Sequence, residues 1–203
     1  MTYLFTHAAL VAQKLGEHLV LTFGSLAIAL VIALPLGVLV ARNRRFGGLT
    51  LGILGVLYTI PSLALLAFLV RFFGLGTLTA IIALVAYAQM ILVRNIATGL
   101  RGIDPAQLEA ATGLGYTPFQ RLIRIEFPQA LPAIIGGIRV ATVSLIAVAT
   151  IASFIHAGGL GDLLFDGIHQ DDPQKIIAGS IAAGLLAIVV DALLHRAENL
   201  VRR

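Results

Sequence analysis

Residues 19–41 read LVLTFGSLAIALVIALPLGVLVA, twenty-three positions without a charge. An α-helix of that length rises about 35 Å, enough to cross a hydrocarbon layer of about 30 Å. A membrane strand would need only about ten residues and would alternate apolar with polar positions, so the helical reading wins. Four further apolar runs follow at 49–70, 75–93, 131–155 and 176–194, separated by charged residues. The fold class is therefore all-α, a polytopic membrane protein with five transmembrane helices. Composition agrees, since 59% of the 203 residues are hydrophobic, 12% are charged and mean hydropathy is +0.98. A soluble domain is roughly half apolar and about a quarter charged, so an ordinary soluble enzyme and a disordered chain are both excluded. The absence of Cys removes disulfides, thiolate metal sites and Cys nucleophiles.

The basic residues set an orientation. Arg42, Arg44 and Arg45 follow the first run; Arg94, Arg101, Arg121 and Arg124 follow the third; Arg196, Arg202 and Arg203 follow the last. Ten of the fourteen basic residues thus fall on one side of an odd number of spans, which makes that side cytoplasmic and the N-terminus extracytoplasmic. The pI near 10.0 does not indicate nucleic acid, because no basic run carries interleaved aromatics. Residues 1–17 have no basic leader and no small-residue cleavage site, and are expected to form a short amphipathic surface helix.

The cytoplasmic stretch after Arg94 is far longer than a turn requires. Asp104 before Pro105 is an N-cap followed by a first-turn proline, Gln107 completes a capping box, and Gly115 is a left-handed stop. The pattern repeats with Thr117, Pro118 and Gln120, after which Phe119, Leu122, Ile123 and Phe127 form an apolar side. Two short capped helices are expected, a rigid projection rather than a loose connector.

Within that projection, Glu109-Ala110-Ala111, then Gly115, then Ile125, then Phe127-Pro128 closely resembles the EAA loop of type I ABC importer permeases. That pattern ends Ile-x-Leu-Pro, and Phe127 stands in place of the Leu. The resemblance implies a coupling helix that docks in a groove of a cytoplasmic ATPase, with Glu109, Ala110, Ala111, Gly115, Ile125 and Pro128 as coupling residues. The residue chemistry fits, because two alanines make a thin helix face and Glu109 supplies one charge-assisted contact. Tyr58-Thr59-Ile60-Pro61-Ser62-Leu63-Ala64-Leu65-Leu66, Phe73-Gly74-Leu75-Gly76, Val93-Arg94-Asn95, Gly136-Gly137-Ile138-Arg139 and Ala157-Gly158-Gly159-Leu160-Gly161 further resemble permeases for glycine betaine, carnitine and choline. His156 and Tyr58 depart from the residues usual there. Permeases for amino acids share the EAA loop and are the alternative.

The resemblance divides the chain into an extracytoplasmic segment 1–18, a type-1 ABC transmembrane domain 19–195 with its coupling loop at 95–130, and a cytoplasmic tail 196–203. It implies as partners an ATPase dimer, a second permease subunit, an extracytoplasmic substrate-binding protein and membrane lipid. No cofactor is expected in this chain, because it has no Gly-x-x-x-x-Gly-Lys-Ser/Thr loop; ATP and Mg belong to the partner. An aromatic cage for a quaternary ammonium is poorly supplied without Trp, which places most selectivity in the binding protein.

Inside the spans, Pro61 is expected to kink the second helix, and Tyr58, Pro61, Ser62 and Tyr87 are candidates for a translocation path or gate. The other reading of the tyrosines is a hydroxyl satisfied between helices. His156 reads as an interfacial residue, and Gln89 and Asn95 as interhelical hydrogen-bonding groups. Arg139 and Asp191 both fall in the inner half of the membrane, where they either pair with each other or snorkel separately. A secondary transporter would need ion-coupling carboxylates near the midplane and inverted repeats, and neither is present in the sequence.

Overall fold

The computed structural model describes residue 3 and residues 6–201. Met1, Thr2, Leu4, Phe5, Arg202 and Arg203, and with them the ends of the segments 1–18 and 196–203, lie outside the described residues. Nine α-helices account for most of the rest: α1 Ala8–Arg42, α2 Arg44–Thr59, α3 Ser62–Phe73, α4 Thr77–Arg101, α5 Pro105–Gly113, α6 Pro118–Arg121, α7 Phe127–Ala152, α8 Gly161–His169 and α9 Pro173–Val201. No strand occurs among the described residues. Helices α1, α4, α9 and the run 118–155 are long and apolar enough to span a membrane, and α2 with α3 are so only as a bent pair, a broken fifth span or a re-entrant loop. Helices α1 and α9 outrun their apolar stretches at both ends, because charges mark the membrane edge and not the end of the backbone hydrogen bonding.

Among the described residues, positions 8–17 do not form the expected separate surface helix. Helix α1 runs unbroken from Ala8 for 35 residues, since nothing between Gln13 and Leu19 interrupts it except Gly16, which a helix tolerates. Its N-terminal turns are held by tertiary bonds instead: Lys14 Nζ to Asp162 at 2.6 Å, and the Gly159 amide donating to Glu17 at 3.0 Å. At the other end Asn43 stops α1 and starts α2, its side-chain oxygen accepting the Arg45 and Phe46 amides at 3.1 Å each.

Helix α4 is the axis of the bundle. Its buried positions lie all round the helix, from Ala80 and Leu84 through Leu92, Val93 and Ile96, which is how a helix enclosed by others reads. α1 and α7 flank it, with α9 against α7 and α8. Arg101 at the C-terminal end of α4 donates to the Ala41 carbonyl at 3.4 Å and to the Val40 carbonyl, where the terminal carbonyls of α1 favour a cation. At the other end of α4 the Gly76 amide donates to the Ile155 carbonyl at 2.8 Å.

The second span is not merely kinked. At Ile60–Pro61 the chain breaks, and α2 and α3 stand at 96°. Proline supplies no amide and its ring clashes with the preceding turn, so the α2 ladder ends at Thr59. The expected second capped helix of the cytoplasmic stretch is also different, because α6 continues through a π turn, Leu122–Glu126, into α7. In that turn the Phe127 amide reaches back to the Leu122 carbonyl. The wider turn accommodates Pro128, which has no amide to offer, so the helix passes the proline without stopping.

Candidate functional site: the coupling loop and the broken span

Helix α5 is built by its ends. The Asp104 carboxylate accepts the Ala106 amide at 2.9 Å, and Pro105 occupies the first turn. Gln107 does not close a capping box there; the cap bond goes to the second helical residue and leaves no reciprocal geometry. At the other end Gly115 is left-handed at φ 84°, with the Tyr116 amide on the Ala111 carbonyl at 3.1 Å and the Gly115 amide on that of Thr112 at 3.0 Å. That paired arrangement is a Schellman stop. Thr117 and Gln120 then form a true capping box, 3.2 and 2.9 Å, which opens α6.

Glu109 and Ala110 are exposed on α5, whereas Ala111 is buried at 4%. The thin face expected from both alanines is therefore offered by Ala110 alone. Two large apolar residues flank that face in the open, Leu114 at 78% and Phe119 at 72% exposure. Sequence reading assigned Phe119 to an apolar side with Leu122 and Phe127. Those two pack on the core while Phe119 does not, and only a count of helical phase through the π turn separates them. Ile125 is half-buried in the π turn and Pro128 is exposed just after it.

The second site forms at the break. Tyr58, Pro61, Ser62 and Tyr87 all line one cavity of about 300 Å³, with Ala141, Ser144 and Val148 of α7 opposite. The Tyr58 and Tyr87 rings meet edge to face at 5.9 Å between centroids. The Tyr87 hydroxyl donates to the Ile60 carbonyl, a group that the Pro61 break leaves without a helical amide. Tyr87 lines the cavity with its ring and bonds between helices with its hydroxyl.

Elsewhere, Arg139 and Asp191 form a two-pronged contact, Nε to Oδ1 at 2.6 Å and Nη2 to Oδ2 at 2.9 Å. Arg139 also meets His195 at 2.9 Å and Glu198 at 3.5 Å, so the pair is part of a larger α7–α9 cluster. In this setting Arg139→Ala and Asp191→Ala are expected each to lower thermal stability in detergent, and the double change to cost less than the sum of the two. Strict additivity would mean two independent charges. Gln89 bonds across to the Ala29 carbonyl at 3.1 Å, but Asn95 turns back on its own helix to Ile91 at 2.8 Å and is not an interhelical link. His156 lies exposed past the C-terminal end of α7 in a left-handed conformation, φ 61°.

A bundle of membrane-spanning helices with a projecting capped helix and an open cavity beside a broken span defines a polytopic transport protein. Residues 33–203 match the binding-protein-dependent transport system inner membrane component family, and the chain belongs to that family. It is 38% identical over 199 residues to the glycine betaine/carnitine/choline transport system permease protein OpuCB of Bacillus subtilis (strain 168), covering 98% of this chain and 92% of that one. It is 42% identical to the osmoprotectant import permease protein OsmW of Salmonella typhimurium, covering 97% and 94%. Among solved structures, an inward-facing form of the MetNI methionine ABC transporter superposes with a TM-score of 0.89 over 97% of this chain and 98% of that one, at 23% identity. The chain is an ABC importer permease, a transport component of the membrane, and its fold is that of the structural neighbour.

Proposed function

We propose that the chain is the permease of an ATP-driven importer for quaternary-ammonium osmoprotectants of the glycine betaine, carnitine and choline class. The observation that carries the substrate class is the near full-length similarity, around 40% identity, to permeases named for those compounds. Two permease copies or a pair of related subunits enclose the path, and a binding protein delivers substrate from outside. Helix α5, with Glu109 and Ala110 outward and Leu114 and Phe119 exposed just beyond it, docks on a cytoplasmic ATPase that binds ATP and Mg. The cavity beneath Tyr58 and Tyr87 is the permease's stretch of the path, and the 96° break at Pro61 is its gate. Its lining is mostly apolar, with the hydroxyl side chains of Tyr58, Thr59, Ser62, Tyr87 and Ser144 as its polar groups.

Uptake of labelled glycine betaine, choline and carnitine by proteoliposomes holding the complete transporter tests the reading, with methionine and other amino acids as competitors. Uptake of methionine and none of the ammonium compounds would move the chain to the amino-acid alternative. The orientation is part of the proposal, and the chain has no native Cys to interfere with its test. A cysteine at the exposed Gln170 is expected to react with an impermeant thiol reagent from outside intact cells, and one at the exposed Gln107 is not. The opposite labelling pattern would invert the topology.

A further inference from the structure

Glu126 is the most deeply buried acidic group of the chain's cytoplasmic half, 3% exposed, and neither the family resemblance nor the path uses it. Its two oxygens receive two guanidiniums. Arg42 Nη2 lies 3.0 Å from Oε1 and 2.9 Å from Oε2, and Arg121 Nε lies 2.9 Å from Oε1. Arg42 is the last residue of α1, 84 positions earlier in the chain. Arg121 has a second engagement, its Nη1 donating to Thr112 Oγ1 at 3.1 Å, and the Thr112 hydroxyl donates in turn to the Leu108 carbonyl at 2.8 Å. Thr112 and Leu108 belong to α5. One carboxylate therefore joins the projecting helix and the entry to α7 to the end of the first span, which lies 84 positions away in the chain.

The backbone alone makes a poor connection here. Between α6 and α7 it passes through the π turn Leu122–Glu126, whose hydrogen bonds are spaced one residue too wide, and Pro128 removes another amide directly after it. Such turns occur as single inserts in helices, often at functional sites. The π turn also sets the phase that points Glu126 inward. Burying a carboxylate between two arginines brings no more stability than apolar packing of the same volume, so its value here lies in fixing geometry.

From this connectivity we propose that Glu126 is a positioning residue of the coupling mechanism, tying the docking helix α5, through Thr112 and Arg121, to Arg42 at the inner end of α1. Displacement of α5 by the ATPase then moves the first span and the α7 entry together, instead of being absorbed by the π turn. This rests on the reading of α5 as the ATPase-docking element.

The test uses the whole transporter in proteoliposomes and separates docking from transmission. Glu126→Gln keeps the shape and removes the charge. It is expected to retain the ATPase at wild-type stoichiometry and to keep basal ATP hydrolysis. Stimulation by the loaded binding protein and substrate moved per ATP should fall about tenfold. Arg42→Gln, which leaves the Glu126–Arg121 pair intact, should show the same uncoupling more weakly and serves if the first variant does not accumulate. A loss of ATPase and uptake in equal proportion, with transport per ATP unchanged, would make Glu126 merely structural and overturn the proposal, as would wild-type coupling in both variants. Failure of the unaltered chain to hold the ATPase would instead sink the docking reading.

Discussion

Glu109→Lys is expected to leave the chain in the membrane at wild-type levels while abolishing ATP-dependent uptake and releasing the ATPase. Glu109 is exposed in the middle of α5, and among the described residues no hydrogen bond or ion pair within the chain involves its side chain, so its replacement disturbs no internal contact. A charge-assisted bond across an interface is worth about 1.5–3 kcal/mol, or roughly ten- to hundredfold in affinity, and the reversed sign adds repulsion. Co-purification of the ATPase with the tagged permease reads the effect directly. Ala110→Trp should act the same way by holding the partner off the thin face, whereas Ala111→Trp should damage the loop itself, because Ala111 is covered by its own chain. Normal ATPase retention in both the Glu109 and Ala110 variants would remove α5 from the interface.

A comparably large effect is expected at the crossings of α4. A methyl group built on Gly37 of α1 would lie 2.5 Å from Cγ2 and 2.7 Å from Cβ of Ile96, and one on Gly137 of α7 would lie 2.5 Å from Cβ of Asn95. Ile96 is 1% exposed and Asn95 is bonded to its own helix, so neither can swing away. Small residues let helix backbones approach in a membrane, where no water is squeezed out to drive association. Overpacking costs typically about 1–3 kcal/mol per site, and Gly37→Val with Gly137→Val should together leave little folded protein. Gly184→Ala and Gly52→Ala supply the control, since a methyl at either meets nothing within 4 Å. Thermal melting in detergent should rank the crossing variants far below the controls, and equal melting would mean that α4 does not sit between α1 and α7 as described.

How much of this was legible beforehand differs from residue to residue. The spans at 19–41, 75–93, 131–155 and 176–194 announce themselves because burial in lipid demands long uncharged runs, a constraint each segment obeys alone. The caps at Asp104 and Thr117 and the stop at Gly115 were legible for the same reason, since their hydrogen bonds close within a few residues. Pro61 was legible as a disturbance, but not as a 96° break. The angle between α2 and α3, like the bond from the Tyr87 hydroxyl to the Ile60 carbonyl 27 positions before it, exists only in the packed bundle.

The inward turn of Ala111 and the burial of Glu126 had no local signal at all. A residue between Ile125 and Phe127 carries no mark of facing two arginines, one of them at the end of a helix 84 residues away. By itself, then, the sequence determined which segments enter the membrane, where the capped helix projects and to which family the motifs belong, because these follow from hydrophobic length and short-range hydrogen bonding. Only the tertiary structure decided which face of α5 is free, how far the second span is broken and what lies against Glu126. Those depend on helix phase and on contacts between residues far apart in the chain, and both are set only when the helices pack.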